Sequence, residues 1–244
     1  MIKITLPDGS IRNYNEPIRV IDIANDISEG FARNVISAKF NNKTVETSTI
    51  IKSDGNLTMY TWKDHNGKKA FWHSTSHVLA QALEQLYPGI KLTIGPAIEN
   101  GFYYDIDLGE NIISEKDFQS IENRILEIAR QKHDFNMRFV SKSDALKKYK
   151  NEGNQYKLEL IKNLNDGEIT FCDHSNFTDL CRGGHIPNTN IIKAVKLLNI
   201  AGAYWRGDEK NKQLTRIYGI SFPKQKQLKE YLQLVEEAKK RDHR

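Results

Sequence analysis

The sequence predicts an α+β protein of two domains, and three observations carry that prediction. The chain has 244 residues, 39% of them hydrophobic and 9% aromatic, enough for two ordinary globular cores. Its first sixty or so residues alternate apolar and polar at the two-residue period of strands, broken by one short helical stretch. From His73 onward, helical periods of two to five turns are interspersed with strand runs bounded by Pro-Gly, Asn-Gly and Asp-Gly turns.

In the first part, Ile2, Ile4 and Leu6 alternate with polar neighbours, Pro7-Asp8-Gly9-Ser10 supplies turn chemistry, and Ile11 to Tyr14 returns as the second strand of a hairpin. Val20, Ile23, Ala24 and Ile27 then recur at helical spacing, with Gly30 placed to end the helix. Val35 to Phe40, an Asn41-Asn42 turn, Lys43 to Thr47 and Leu57 to Tyr60 restore the strand period. This order fits a β-grasp, ubiquitin-like unit. It contains no catalytic constellation, so it reads as a binding or spacing module. Residues 61 to 70 are polar around a glycine and mark a boundary.

The second part opens with a helix from His73 to Tyr87. Val78, Leu79, Ala82, Leu83 and Leu86 share one arc, while His73, His77, Gln81 and Glu84 fall on the opposite one. Pro88-Gly89 ends it. The run from Leu92 to Asp107 contains Asn100-Gly101 between apolar segments, a hairpin signal, with Phe102, Tyr104 and Ile106 on one face. A helix from Ser114 to Lys132 is capped by Ser114 with Asp117 three residues on. Phe135 to Val140 is expected as a strand and Asp144 to Lys150 as a short helix; Lys157, taken alone, reads as a solvated charge. Glu168 to Cys172 is another strand, followed by the loop Cys181-Arg182-Gly183-Gly184-His185. Strands near Val195 to Asn199 and Leu214 to Phe222 flank a polar turn, and a charged helix from Lys224 to Lys240 leads to the last residues, Arg241-Asp242-His243-Arg244.

Composition narrows the function classes. A net charge of +5 and a pI near 9.0 permit an anionic partner such as RNA without requiring one. No run approaches the roughly 18 apolar residues of a membrane span, so no membrane partner is expected. The N-terminus shows strand alternation and early charges in place of a signal peptide, which points to the cytoplasm. Two cysteines, Cys172 and Cys181, are too few for a disulfide framework.

His73 and His77 stand one turn apart on a helix, and Cys181 and His185 have the same separation in the glycine-rich loop. Two such pairs offer nitrogen and sulfur donors suited to tetrahedral zinc, but they suit a metal-free hydrolytic pocket or structural roles as well. The Glu that would make a zinc-peptidase helix is absent after His73, and there is no Walker loop or dinucleotide fingerprint.

The stretches His73-Ser74-Thr75-Ser76-His77, Ile94-Gly95-Pro96, Asn100 to Asp105, Asp179 to His185 and Ala201 to Asp208 resemble the N-terminal half of bacterial-type threonyl-tRNA synthetases along essentially the whole chain. The resemblance implies a TGS β-grasp domain over 1–62, an α+β editing domain of the threonyl/alanyl second-additional-domain type over 63–224, and a linker helix over 225–244 toward an aminoacylation core. It implies a fragment that lacks the ligase core, whose ATP and zinc sites and homodimer contacts would lie elsewhere. The implied activity is hydrolysis of serine from mischarged seryl-tRNA(Thr). Serine lacks one methyl group of threonine, worth only about 1–3 kcal/mol in a binding pocket, so a second sieve is needed.

Carried onto this sequence, the resemblance makes His73 and Lys157 the residues that orient or activate water and assist the leaving ribose hydroxyl. His77, Cys181 and His185 would shape the pocket, Asp179 would hold the serine ammonium, and Tyr104 would lie beside the terminal adenosine. Editing of this type implies no cofactor; zinc on His73, His77, Cys181 and His185, as in the alanyl relatives, is the alternative, and a non-catalytic tRNA-binding appendage is another. One position departs from the family pattern: Gly184 stands where bacterial members commonly have proline, removing backbone rigidity just before His185.

Overall fold

The computed structural model describes residues 1–242, so His243 and Arg244, the end of the expected linker helix, lie outside the described residues. The described residues divide into two compact units, one formed by Met1–Ser74 with His133–Asn188 and the other by Thr75–Lys132 with the described residues from Thr189 on.

In the first unit a five-stranded sheet has the order Ile11–Tyr14, Ile2–Thr5, Gly55–Thr61, Val35–Phe40, Lys43–Val45. The first and last strands of this segment, Ile2–Thr5 and Gly55–Thr61, pair in parallel at its centre, and the outer pairs are antiparallel. A parallel pair needs a crossover, and the helix Val20–Ile27 lies within it. The apolar alternation works as expected: Ile2, Ile4, Leu6, Ala38 and Leu57 bury against Val20, Ile23 and Ile51 in one core. Gly30 does not end the helix. Ser28 takes extended backbone there, and its hydroxyl accepts the Phe31 N–H to cap a further short helix, Glu29–Ala32, that contains Gly30.

Within the polar stretch the helix already begins, spanning His65–Leu86 instead of starting at the expected His73. Asp64 accepts the Thr61 N–H and hydroxyl (2.7 and 3.0 Å), and its own carbonyl takes the Lys68 N–H. Gly67 is needed because a Cβ there would lie 1.9 Å from the Thr61 carbonyl oxygen. A sheet of Asn136–Phe139, Thr170–His174 and Phe177–Leu180 also belongs to this unit. The helices Lys142–Asn151 and Gln155–Lys162 contribute Ala145, Tyr149 and Ile161 to a core with Ile169 and Phe171.

The second unit is built on a sheet in the order Ala194–Tyr204, Gln213–Phe222, Gly101–Asp107, Lys91–Leu92, with Ala97–Ile98 also on Gly101–Asp107. The expected hairpin forms with Glu99-Asn100 at its tip, because Ile98 pairs with Gly101. The helix Phe118–Arg130 packs through Phe118, Ile121, Ile125 and Ile128, and the Ser114 N–H donates to Asp117 at 2.8 Å in the expected cap. The remainder of the histidine-bearing helix and the helix Gln225–Asp242 belong here too. Among the described residues no helix is long and apolar enough to cross a membrane.

Candidate functional site

Strand Phe177–Leu180 pairs with Thr170–His174, and the ladder continues one residue further through the Cys181 N–H to the Thr170 carbonyl at 3.1 Å. Asp179 and Cys181, two apart on extended chain, therefore point to the same face. Lys157 sits in the first turn of helix Gln155–Lys162, whose start is capped by Asn154 accepting the Lys157 N–H at 3.1 Å. The Lys157 side chain is buried, and its Nζ lies 2.5 Å from Asp179 Oδ1 with both side chains at most 5% exposed. The expectation that Lys157 alone reads as a solvated charge fails because a buried carboxylate awaits it. Tyr149 fixes the next residue, its phenol oxygen accepting the Leu180 N–H at 2.9 Å. Burial, reinforced by the charge of Asp179, holds the Tyr149 phenol well above its ordinary pKa.

Beyond Asp179 the chain turns through Gly183 and Gly184, both at positive φ (100° and 89°), which L side chains rarely adopt. The turn sets His185 against two aromatic faces: the His73 ring stacks at 4.9 Å and the Phe135 ring at 5.4 Å between centroids. Cys181 Sγ lies 3.1 Å from His73 Nε2 and 3.3 Å from His185 Nε2, so one thiol is bracketed by two imidazoles. The Ser74 hydroxyl accepts the Ile186 N–H at 2.9 Å and donates to the Ala70 carbonyl, tying the loop to the helix that carries His73.

Sequence reasoning missed one residue here. Glu46, in the segment expected to hold no catalytic constellation, brings its Oε1 to 3.2 Å from His185 Nδ1 and 2.8 Å from the Gly184 nitrogen. Nothing in the local sequence of Glu46 marks it, since its partners are 138 and 139 residues away. Cys172, which sequence marks only as a thiol, places its Sγ 3.7 Å from His185 Nδ1. Burial works against a charged His185, but Cys181, Cys172 and Glu46 outweigh it and hold its pKa well above the ordinary histidine value. Burial likewise works against ionised Glu46, and the hydrogen bond and charge of His185, with the Gly184 N–H, hold its carboxyl below the usual range. Burial pushes the Cys172 thiol up.

Five of the residues singled out in sequence, His73, Lys157, Asp179, Cys181 and His185, thus gather in the first unit. His77 follows one turn after His73 on the same helix and is 3% exposed. Of the polar arc, His77 and Gln81 are buried, His73 is partly buried and Glu84 is exposed. Tyr104, in the second unit, is 1% exposed with its ring over Gly95, where a Cβ would come within 2.2 Å of it.

Residues 2–61 match the family model of the TGS domain, and residues 169–218 match that of the threonyl and alanyl tRNA synthetase second additional domain. The chain carries a TGS domain followed by a threonyl/alanyl second additional domain. It is 70% identical over 244 residues to threonine--tRNA ligase of Flavobacterium johnsoniae and 68% identical to that of Flavobacterium psychrophilum, covering all of this chain and 37% of each relative. Threonine--tRNA ligase of Cytophaga hutchinsonii is 57% identical over the same span, 38% of its length. The chain spans less than two fifths of the curated relatives it matches. In these terms Glu46 belongs to the TGS domain, and the Gly184 and His185 it holds belong to the second additional domain.

The donors also bear on a metal. The ligand atoms of His73, Cys181 and His185 fall within 4.8 Å of one another. Nitrogen–sulfur separations of 3.1 and 3.3 Å fall somewhat short of the roughly 3.5 Å that zinc bonds of about 2.0–2.3 Å at a tetrahedral angle impose. A carboxylate behind His185 also suits a ligating histidine.

Proposed function

We propose that this chain is the proofreading part of a threonine--tRNA ligase and hydrolyses the ester of seryl-tRNA(Thr) with a positioned water. The supporting observation is the cluster of His73, Cys181 and His185, joined by Asp179 to a buried lysine, in a chain with the second additional domain of threonyl and alanyl tRNA synthetases. The proposed division is a TGS domain over 1–62, an editing domain over 63–224 and a linker helix from 225. The proposed partner is tRNA(Thr) carrying serine, in the cytoplasm, within a parent enzyme that dimerises outside this segment.

Ester hydrolysis needs a water deprotonated and aimed at the carbonyl, charge stabilisation on the resulting oxyanion, and a proton for the departing ribose hydroxyl. His73 is the partly exposed imidazole of the cluster, and it orients the water as general base. Lys157 supplies a fixed positive charge and a proton donor toward the leaving hydroxyl. Asp179 holds Lys157 in place and shares its carboxylate with the serine ammonium. Cys181 and His185 shape the pocket around His73, and His77 and Tyr104 are proposed as further substrate-binding residues, Tyr104 for the terminal adenosine.

Seryl-tRNA(Thr) deacylation by the 244-residue chain, beside His73→Ala and Lys157→Ala, tests this. Loss of about 10²–10⁴-fold in rate is expected for His73→Ala. Equal rates in all three proteins would remove the catalytic assignment, and a parent chain that binds the tRNA without deacylating it would be a tRNA-binding appendage.

The donor set favours one second reading, a zinc-dependent deacylase of the alanyl type with His73, His77, Cys181 and His185 as ligands; zinc there would polarise the ester carbonyl and its water. Elemental analysis and activity after chelation separate the two. The metal-free protein is expected to keep its full rate, and a rate restored only by zinc establishes the second reading instead.

A further inference from the structure

We infer that Glu46 of the TGS domain is a positioning residue for the editing site: it clasps the Gly183-Gly184 turn and fixes the rotation of the His185 ring. The catalytic side of this inference rests on the deacylase reading above; the structural side does not.

Three contacts converge on one carboxylate oxygen. Glu46 Oε1 accepts from the Gly184 N–H at 2.8 Å and the His185 N–H at 3.4 Å, and lies 3.2 Å from His185 Nδ1. Successive backbone N–H groups turned inward by positive-φ residues make a small anion-binding concavity, and here the anion is a side chain of the same chain. Both glycines are needed for it. At Gly183 a Cβ would sit 3.1 Å from Glu46 Oε1, and at Gly184 a Cβ would sit 3.3 Å from Thr44 Cγ2, with φ values of 100° and 89° besides. A proline at position 184 has no N–H to donate and cannot reach φ of +89°. The glycine therefore does not leave His185 loosely aimed, because a contact from another domain replaces the rigidity that a proline would supply.

The ring itself shows why a partner at Nδ1 matters. Stacking against His73 and Phe135, at interplanar angles of 29° and 9°, fixes the plane of the imidazole but is indifferent to a 180° flip about Cβ–Cγ, which exchanges the two edges of the ring. Cys181 at Nε2 and Glu46 at Nδ1 close that freedom from opposite edges. Cys172 Sγ also faces Nδ1, at 3.7 Å, a longer contact to a weaker partner. Glu46 is itself anchored: its carbonyl accepts the Thr49 N–H at 3.0 Å in a tight turn, and its neighbour Thr47 accepts the Ile21 N–H at 2.9 Å. A carboxylate behind a histidine fixes which nitrogen carries the proton and where the other points. Through His185 the effect reaches Cys181, which touches the His73 imidazole.

Glu46→Ala and Glu46→Gln in the 244-residue chain test this with two independent readouts. The first is structural: nitrogen NMR of the His185 imidazole and exchange of the Gly184 amide. The alanine variant is expected to move the Nδ1 resonance and speed the amide exchange about tenfold, the loss of one hydrogen bond. The glutamine variant, whose carbonyl oxygen still accepts from both N–H groups, should restore most of the amide protection. The second readout is seryl-tRNA deacylation, where Glu46→Ala should lower kcat about 10–100-fold with KM little changed. Unchanged His185 and Gly184 signals in Glu46→Ala overturn the inference, whatever the activity does. Altered signals in a parent chain that lacks deacylase activity uphold the clasp and count against the proposed function alone.

Discussion

Lys157→Met is expected to destabilise the folded chain by about 3–5 kcal/mol, because it leaves the Asp179 carboxylate buried without its cation. The Lys157 Nζ to Asp179 Oδ1 distance is 2.5 Å, and the side chains are 3% and 5% exposed, so little water can replace the missing partner. An exposed pair in the same chain sets the scale. Arg19 and Asp22 are 2.7 Å apart with side chains 56% and 38% exposed, and Arg19→Met should cost at most about 1 kcal/mol. Urea denaturation of both variants compares them directly, and a Lys157→Met protein within 1 kcal/mol of the parent, on the order of a surface pair, would show that the charges are not truly desolvated. The double variant Lys157→Met with Asp179→Leu should recover most of the lost stability, since two apolar groups of similar volume remove the unpaired charge. It should not recover deacylation. That combination separates a pair retained for chemistry from one retained for folding. It also sets the condition for reading Lys157→Ala, whose rate is informative only where the variant remains folded.

The residues that were legible in sequence were those whose environment is local. Ile2, Ile4 and Leu6 alternate because a two-residue period alone decides which side of a strand is buried, and all three lie in the core of the first unit. The Ser114–Asp117 cap and the Phe118 to Ile128 stripe were readable for the same reason, at helical period. The start of the histidine-bearing helix was not. Residues 65 to 70 have no apolar stripe, and Gly67 reads as a breaker until the Thr61 carbonyl beside it is known. The partner of Lys157, and Glu46 altogether, were hidden by distance. A lysine 22 residues from its carboxylate and a glutamate 139 residues from its histidine leave no periodic trace, so only the fold reveals that each is partnered. His73, Cys181 and His185 stand out in the sequence because rare residue types in a glycine-rich context are informative before any contact is known. Their family resemblance then supplied the chemistry, and the matches to the TGS and second additional domains bear that resemblance out.

Gly101→Ala is the second change expected to be severe, with a loss of about 3 kcal/mol or more from backbone strain plus a clash inside the sheet. Gly101 has φ of +109°, and a Cβ there would lie 2.3 Å from the carbonyl oxygen of Gly219 on the neighbouring strand. The strands cannot separate cheaply. Phe102 pairs with Gly219 in register and is fully buried, and a Cβ on Gly219 would in turn meet the Phe102 ring at 2.7 Å. Gly109→Ala isolates the two contributions: Gly109 also has positive φ, at +57°, but nothing lies within 4 Å of its Cβ position. Its substitution should cost only the left-handed backbone penalty, about 1–2 kcal/mol. Equal urea midpoints for the two variants would show that close approach is not what requires Gly101. The consequence extends along the strand, because Asp105 accepts both guanidinium N–H groups of Arg216 at 2.7 and 2.8 Å, and Arg216 lies 3.8 Å from the centroid of the Tyr103 ring. Tyr104 sits between these two positions with its ring against Gly95, so its placement depends on the register that Gly101 permits. A partly folded Gly101→Ala protein should therefore lose the environment of Tyr104 while the first unit, with Lys157 and Asp179, keeps its own core.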